Sequence, residues 1–280
     1  MARLAEPADV DAVVLHWLGQ AGFVITAGPL RVLVDPYLSD SLAEKYRDTA
    51  TPHERLMPAP IAVDAVPRLD LVLITHHHTD HMDPATLGPL ATAQPALRFV
   101  VPAASRAEAE RRIGVGPERL IPLDAGETVV PVAGLTVTAL RAAHETLERD
   151  AQGRHRFLGY ALRFGFPGRR EITIVHSGDT VPFAGQVEEV AAMAPDVLLL
   201  PVNGRSDALA ARGIAGNFTL DEAVAFAAGV GAPAMVAHHH GMFAFNTRPL
   251  AEIEAYAARS DLPVRLVPAR RGLELRLSPV

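Results

Sequence analysis

The stretch LVLITHHHTDHMDP, residues 71–84, runs from an apolar segment directly into four histidines and two aspartates. A continuous apolar run of this length is typical of a strand that is buried on both faces. Imidazole and carboxylate groups are costly to bury unpaired, so such a cluster needs a partner. His76 and His78 are two residues apart, and in an extended segment their side chains point the same way. The stretch therefore predicts a metal site at the end of a strand.

The same stretch can serve a second ion. Asp80 and His81 come at a turn toward a helix, for which Asp83 is the expected N-cap and Pro84 the first residue. This turn can offer Asp80 and His81 to an ion beside the first. Paired ions about 3.5–4 Å apart are common in hydrolytic enzymes. Imidazole and carboxylate ligands without thiolate suit zinc, manganese, iron, cobalt or nickel.

Further ligand candidates follow other predicted strands. They are His144, Asp179, and one of the three consecutive histidines His238, His239 and His240. An aspartate between two ions can bridge them. His77 is expected to face away from its neighbours, and His176 to lie beside the site without binding metal. The isolated histidines are expected to be ordinary loop residues: His16, His53 and His155.

Composition restricts the class of protein. The 280 residues carry 26 basic and 32 acidic side chains, a net charge of −6 that argues against non-specific nucleic-acid binding. The absence of cysteine excludes disulfides and thiolate metal sites. No apolar run is long enough for a membrane-spanning helix, and the N-terminal residues do not have the pattern of a secretory signal. We expect a cytoplasmic protein with a small-molecule substrate, no nucleic-acid partner and no membrane partner.

The order of elements predicts one α/β domain over residues 1–280. Twelve apolar or alternating segments read as strands, beginning with a meander over residues 12–38. Five amphipathic segments read as helices: residues 83–93, 105–114, 185–194, 219–231 and 248–260. Several strands run directly into polar loops. Ligands of α/β proteins bind at such strand ends, so these loops are expected to converge on one site.

The histidine-rich stretch resembles the signature of the metallo-β-lactamase superfamily. Further segments resemble its L-ascorbate-6-phosphate lactonase-like group, in family order: WLGQAGFVI, LVDPYLSDS, THHHTDHMDP, HSGDT, LPVNGR and HHGMFAFNT. The resemblance implies an αββα sandwich, in which two mixed sheets pack face to face between outer helices. It also implies two divalent ions, zinc or manganese, and a possible homo-oligomer.

The resemblance assigns ligands by position. His76, His78 and His144 would hold the first ion. Asp80, His81 and His239 would hold the second, and Asp179 would bridge the two. His239 is selected because two residues separate the family ligand from a following Met-Phe pair; His238 and His240 are the alternatives.

Two dications lower the pKa of a shared water and supply hydroxide at neutral pH. Asp80 is the candidate catalytic residue, because it can orient that hydroxide. Asn203 and Arg205 are candidate substrate-binding residues after a buried strand. An arginine fork suits a phosphate or carboxylate, although Arg205 could equally brace a loop through a salt bridge. Asn246 and Thr247 are expected to cap the next helix.

Three functions are compatible with these residues. The first is a metal-dependent hydrolase of a small anionic ester or lactone, such as a sugar-phosphate lactone. The second is a phosphodiesterase or nuclease on the same fold, which the acidic net charge and the lack of a basic run disfavour. The third is a non-catalytic metal-binding protein, against which the complete ligand set argues.

Overall fold

Two seven-stranded sheets form the centre of the molecule in the computed structural model, which describes residues 12–279. In chain order the strands are β1 (Val13–Gly19), β2 (Gly22–Ala27), β3 (Leu30–Val34), β4 (Leu71–Leu73), β5 (Arg98–Pro102), β6 (Leu120–Leu123), β7 (Thr128–Val132), β8 (Leu135–Arg141), β9 (Leu158–Phe164), β10 (Ile172–His176), β11 (Val197–Pro201), β12 (Ala234–His238), β13 (Arg265–Pro268) and β14 (Glu274–Leu277). The helices are α1 (Ser41–Lys45), α2 (Pro84–Ala93), α3 (Arg106–Ile113), α4 (Gln186–Ala191), α5 (Asp207–Ala210), α6 (Leu220–Val230) and α7 (Leu250–Ala257). Short 3₁₀ turns cover Val63–Ala65, Ala103–Ser105 and Pro117–Arg119.

Each sheet is half antiparallel and half parallel. The first sheet has the order β14-β1-β2-β3-β4-β5-β6, antiparallel as far as β3 and parallel from β3 to β6. The second has the order β13-β12-β11-β10-β9-β8-β7, parallel as far as β10 and antiparallel beyond it. The polar loops after β4, β10 and β12 therefore leave parallel regions of the two sheets.

Alternating burial explains the layers. In β4, Leu71 and Leu73 join the core between the sheets, while Val72 packs outward beneath α2 and α3. In β11, Leu199 faces the same central core, while Leu198 packs beneath α6. Strands covered on both faces are continuously apolar, which is why these segments carry no alternation in the sequence. The αββα sandwich expected from the sequence is confirmed.

The helix signals in the sequence are accurate where side chains cap the helix. Asp83 is the N-cap of α2 and accepts from the Ala85 backbone N–H, with Pro84 at the first helical position. Thr219 and Glu222 form a capping box at the start of α6. Among residues 12–279, no helix combines the length and apolarity needed to cross a membrane. Cytoplasmic location stays a prediction.

The expected cap of the last helix is wrong. α7 begins after Pro249, which provides no side-chain cap. Asn246 instead accepts from the Asn203 amide, and Thr247 Oγ1 accepts from the Gly241 backbone N–H. Both side chains therefore shape the loop after β12.

Gly178 is required by a close approach of two chain segments. It has φ +63°, and a Cβ atom there would lie 2.3 Å from the backbone oxygen of Leu158. Gly153 also has a positive φ, +79°, but a Cβ atom there would meet no atom within 4 Å. Backbone strain is therefore common to both positions, and the clash is specific to Gly178.

We expect Gly178→Ala to destabilise the fold more than Gly153→Ala. A left-handed alanine costs about 1–2 kcal/mol, and the clash adds about 1–3 kcal/mol because the carbonyl of β9 cannot rotate away. Urea unfolding of the two metal-free variants measures the difference. Equal losses of unfolding free energy would mean that the two segments are not held together as the structure has them.

Candidate metal centre

The structure brings the seven candidate ligands together at one end of the sandwich. They form three overlapping groups, within each of which the ligand atoms all lie within 4.8 Å of one another: His76, His78 and His144; His76, His81 and Asp179; and Asp80, His81 and His239. Residues 76–81 follow β4 of the first sheet, and the other three follow strands of the second. The cluster therefore depends on the packing of the two sheets.

Asp179 lies at the centre of the cluster. Its Oδ2 is 3.0 Å from His239 Nε2, 3.4 Å from His81 Nε2 and 3.8 Å from His144 Nε2. Asp80 is more peripheral, with Oδ2 at 3.7 Å from both His81 Nε2 and His239 Nε2. A carboxylate at this central position can contact cations on both sides.

Only the middle one of the three consecutive histidines reaches the cluster. β12 ends at His238, whose ring packs against Phe23 and His176 with centroids 5.3 Å and 5.0 Å apart. His240 stacks on Trp17 at 5.4 Å. His239 has φ +61°, and this turn of the chain directs its side chain differently from its neighbours.

Asp35 orients the histidine loop from beneath. This fully buried carboxylate accepts from the Thr75 backbone N–H at 2.8 Å and from Thr75 Oγ1 at 2.6 Å. Its Oδ2 is 2.7 Å from His81 Nδ1. A carboxylate on one ring nitrogen fixes the histidine tautomer and leaves the other nitrogen, Nε2, for the centre. The contacts of Asp35 are thus with the chain beneath the cluster.

His176 holds the loop that carries Asp179. Its Nδ1 accepts from the Gly178 backbone N–H at 3.1 Å, and its Nε2 donates to the Ala21 carbonyl at 2.9 Å. Burial lowers the pKa of His176, consistent with this neutral tautomer. It lies beside the centre and belongs to none of the three ligand groups, as expected from the sequence.

Gln20 is a site residue that the sequence analysis did not identify. Its Nε2 donates to Asp80 Oδ2 at 2.8 Å and lies 3.1 Å from His239 Nε2. Its backbone carbonyl accepts from the His239 N–H. The residue is buried and has φ +50°, a left-handed conformation that favours glycine. Strained backbone at Gln20, Asp35 and His239 clusters at this one site, as it does in many functional sites.

Burial and mutual attraction shift the pKa values of the histidines and the aspartates in the cluster. Burial lowers the pKa of His76 well below its ordinary value and that of His78 to about 4. Burial would also lower the pKa of His81, but the Asp179, Asp35 and Asp80 carboxylates together raise it well above the ordinary value. Burial would raise the pKa of Asp179, but His239 and His81 hold it well below the ordinary value.

The donor atoms fit a divalent metal. His76 Nε2, His81 Nε2 and Asp179 Oδ1 are buried and have no hydrogen-bond partner among residues 12–279. A buried polar atom without a partner costs about 1–3 kcal/mol, so three at one point indicate a missing partner. A divalent cation would supply it, because imidazole nitrogen and carboxylate oxygen are both metal ligands.

A cleft of about 480 Å³ opens above the cluster. Its floor includes His78, Asp80, His144, Asp179 and His239. The outer lining includes Lys45, Tyr46, His53, Arg112, Arg212, Phe243, Phe245 and Asn246. His53 was expected to be an ordinary loop residue, but its ring lines this cleft.

The two residues predicted to bind substrate, Asn203 and Arg205, are not among the residues that line the cleft. Arg205 donates through both terminal nitrogens to the Glu222 carboxylate, at 2.6 Å and 2.5 Å, and through Nη1 to the Asn217 carbonyl. These are the contacts of the loop-bracing alternative. Asn203 Nδ2 donates to Asn246 Oδ1 at 2.9 Å, so its link to the cleft runs through Asn246.

Comparison with known proteins identifies the family. A family model described as the beta-lactamase superfamily domain matches residues 30–240, a range that contains all seven candidate ligands. A UPF0173 metal-dependent hydrolase of Rubrobacter xylanophilus is 27% identical over 93% of this chain and 95% of its own. An uncharacterised protein of Mycobacterium tuberculosis is 34% identical over 49% of this chain and 35% of its own. The chain thus spans about a third of that mycobacterial relative.

Structural comparison agrees on the fold. The crystal structure of an isothiocyanate hydrolase from Delia radicum gut bacteria superposes with a TM-score of 0.75 at 20% identity, covering 95% of this chain and 100% of the other. At this identity the match bears on the fold alone. With the family match over residues 30–240, the conclusion is that the chain belongs to the beta-lactamase superfamily.

Proposed function

We propose that this protein is a metal-dependent hydrolase that uses two divalent ions, zinc or manganese, to cleave a small anionic ester or lactone. The observation that carries the proposal is the set of buried, unpartnered ligand atoms in a cluster whose other members line an open cleft. The relative in Rubrobacter xylanophilus matches this chain along nearly its whole length. Its name, a metal-dependent hydrolase, supports the same reaction class.

The proposed ligands divide into two sets. His76, His78 and His144 would hold one ion, and Asp80, His81 and His239 would hold the other. Asp179 would be a ligand shared by both. The position of Asp179 Oδ2, 3.0–3.8 Å from ligand atoms of both sets, supports the bridging role.

Divalent ions, when bound, would lower the pKa of a water molecule and polarise the substrate oxygen on which negative charge develops. The protein orients the reacting groups. Asp80 Oδ2, fixed by the Gln20 amide, accepts a hydrogen bond from the attacking water and sets its direction. Asp35 would keep one proton of His81 on Nδ1, and a bound cation would replace the proton on Nε2.

The lining of the cleft supports an anionic small molecule. Its volume of about 480 Å³ suits a small ligand. Among residues 12–279, three cations line it outside the floor, and the lining includes no carboxylate except Asp80 and Asp179. The lactonase-like substrate remains part of the proposal and rests on the sequence resemblance.

The first prediction concerns metal content. We expect about two ions per chain in the wild type and about one in His239→Ala, because the second set loses one of its three terminal ligands. Elemental mass spectrometry after zinc or manganese loading and gel filtration measures this. His16→Ala, in β1 and outside the three groups, is the control and should keep both ions. An unchanged metal content in His239→Ala would remove His239 from the ligand set.

Asp80→Asn tests the reaction. On a panel of lactones and esters that includes a sugar-phosphate lactone, we expect kcat to fall about 10²–10⁴-fold while the melting temperature is retained. Bis(p-nitrophenyl) phosphate in the same panel reports the phosphodiesterase alternative. Full turnover by Asp80→Asn, or turnover that survives removal of metal by chelation, would contradict the mechanism.

Asp35→Asn tests the orientation of His81. Asparagine tolerates the φ of +42° at this position but lacks the charge, so metal affinity should fall about 10–100-fold without unfolding. Chelator competition measures the affinity. The chain offers a matched control: Asp124 contacts His155 Nδ1 at 2.9 Å in the same way but away from the centre. If Asp124→Asn weakened metal binding as much as Asp35→Asn, the loss of affinity would not result from the contact between Asp35 and His81.

Arg205 and Asn246 separate stability from binding. We expect Arg205→Met to lower the unfolding free energy by about 0.5–1 kcal/mol and to leave KM unchanged, since the guanidinium is partly exposed and engaged by Glu222. The ion pair lowers the pKa of Glu222 to about 2 from its ordinary 4.5, so this stability is present above pH 4.5 and is lost as the pH falls toward 2. Asn246→Ala should raise KM instead. A raised KM in Arg205→Met with an unchanged unfolding free energy would instead indicate that Arg205 binds the substrate.

A further inference from the structure

Lys45 stands apart from the other cations of the chain. It is the single lysine in the sequence, and the remaining 25 of the 26 basic residues are arginines. It ends α1 and lines the outer part of the cleft. Within residues 12–279 its ammonium has no carboxylate at ion-pair distance, and its recorded contact is with the Tyr46 ring, 5.0 Å from the centroid. An ammonium is a compact point charge that suits a single anionic group.

The other two cations of the cleft are already engaged. Arg112 donates through Nη1 to the His77 carbonyl at 2.6 Å and is paired with Glu108. Arg212 donates to the Ala50 carbonyl at 3.2 Å, which ties the segment after α5 to the loop that carries His53. Among residues 12–279, Lys45 is therefore the cation of this cleft that has neither a hydrogen bond nor an ion pair to the protein.

An aromatic surface adjoins Lys45. Tyr46 stacks on His53 with centroids 4.1 Å apart and an interplanar angle of 23°. His53 in turn contacts Phe245 at 4.6 Å and Phe243 at 5.1 Å, edge to face. All four rings line the cleft. Such a surface offers planar groups an offset-stacked or edge-to-face contact.

His53 is held as a neutral ring in this surface. Its Nδ1 lies 2.7 Å from the Thr51 carbonyl, which can only accept, so Nδ1 carries a proton. Burial lowers the pKa of His53. The aromatic surface is therefore uncharged near neutral pH, and Lys45 carries the charge beside it.

We propose that the outer cleft is a subsite for a planar aromatic group bearing an anionic substituent, with Lys45 binding the anion and Tyr46, His53 and Phe245 contacting the ring. This inference deepens the proposed hydrolase by naming the part of the substrate that lies away from the bond to be cleaved. It rests on that proposed function for its meaning, but the subsite itself lies outside the ligand groups and can be tested separately.

Naphthalene-2-sulfonate is the probe, because it joins a planar ring to a permanent anion and sulfonate is a weak ligand for divalent metals. We expect it to bind at least about tenfold more tightly than methanesulfonate, which lacks the ring, and 2-naphthol, which is neutral. Calorimetric titration of metal-loaded and metal-free protein should give similar affinities. Equal affinity for all three compounds would overturn the proposal.

Variants assign the binding to the named residues. Lys45→Met should weaken binding about threefold or more, whereas Lys45→Arg keeps the charge and should stay within about twofold. His53→Leu should weaken naphthalene-2-sulfonate and leave methanesulfonate unchanged. Arg259→Met, a surface cation away from the cleft, is the control. Unchanged affinity in both Lys45→Met and His53→Leu would overturn the proposal.

The single lysine gives a second readout. Acetylation by an N-hydroxysuccinimide ester modifies Lys45 and the terminal amine, and peptide mass spectrometry separates the two. Bound naphthalene-2-sulfonate should slow the acetylation of Lys45 and leave that of the terminal amine unchanged. If the probe binds in this way but no metal-dependent hydrolysis is found, the subsite is supported and the proposed function fails. If metal-dependent hydrolysis is found without probe binding, the proposed function is supported and the subsite fails.

Discussion

The buried carboxylate of Asp35 is the constraint on which the metal centre depends. It follows β3 directly, has no exposed surface and a left-handed backbone, and would be expensive to bury without donors. Thr75 supplies two of them and His81 a third contact. These bonds determine where the chain leaves β4 and how the following turn is oriented. A residue 46 positions before His81 thus orients the imidazole that both Asp80 and Asp179 approach.

The two halves of the site come from different sheets, so the central core determines their separation. Inner residues such as Leu73 and Leu199 pack the sheets together, and the ligands stand at the ends of the strands that carry them. The bond from the His239 N–H to the Gln20 carbonyl joins two left-handed residues across this junction. Such backbone costs about 1–3 kcal/mol per residue, and it persists only where surrounding packing over-determines it. We infer that the rigidity of the sandwich keeps the ligand atoms close together, even though several of these nitrogen and oxygen atoms have no hydrogen-bond partner among the described residues.

Local signals in the sequence predicted the parts of the fold that depend on local interactions. Asp83 and Pro84 start α2 as expected, and the apolar runs locate the buried strands. β6 and β7 were missed because Pro122 and Pro131 interrupt segments that read as loops. The candidate ligands could be named because a short motif brings four histidines together, whereas Gln20 contributes through a contact 60 positions away. No spacing rule connects such a residue to the motif.

The basic residues show why function could not be assigned to side chains from sequence alone. An arginine after a strand end is equally a substrate fork or a brace, and the position of Glu222 beside Arg205 favours the brace. A cation that is already paired with a carboxylate of the protein gains little by binding a ligand. Lys45 has no such pair among the described residues, and its charge is available at the cleft. The floor of that cleft is rich in carboxylate and imidazole, and the rim is cationic and aromatic. This separation would orient a substrate of the proposed kind, because its metal-binding end and its anionic end would be attracted to different parts of one cavity.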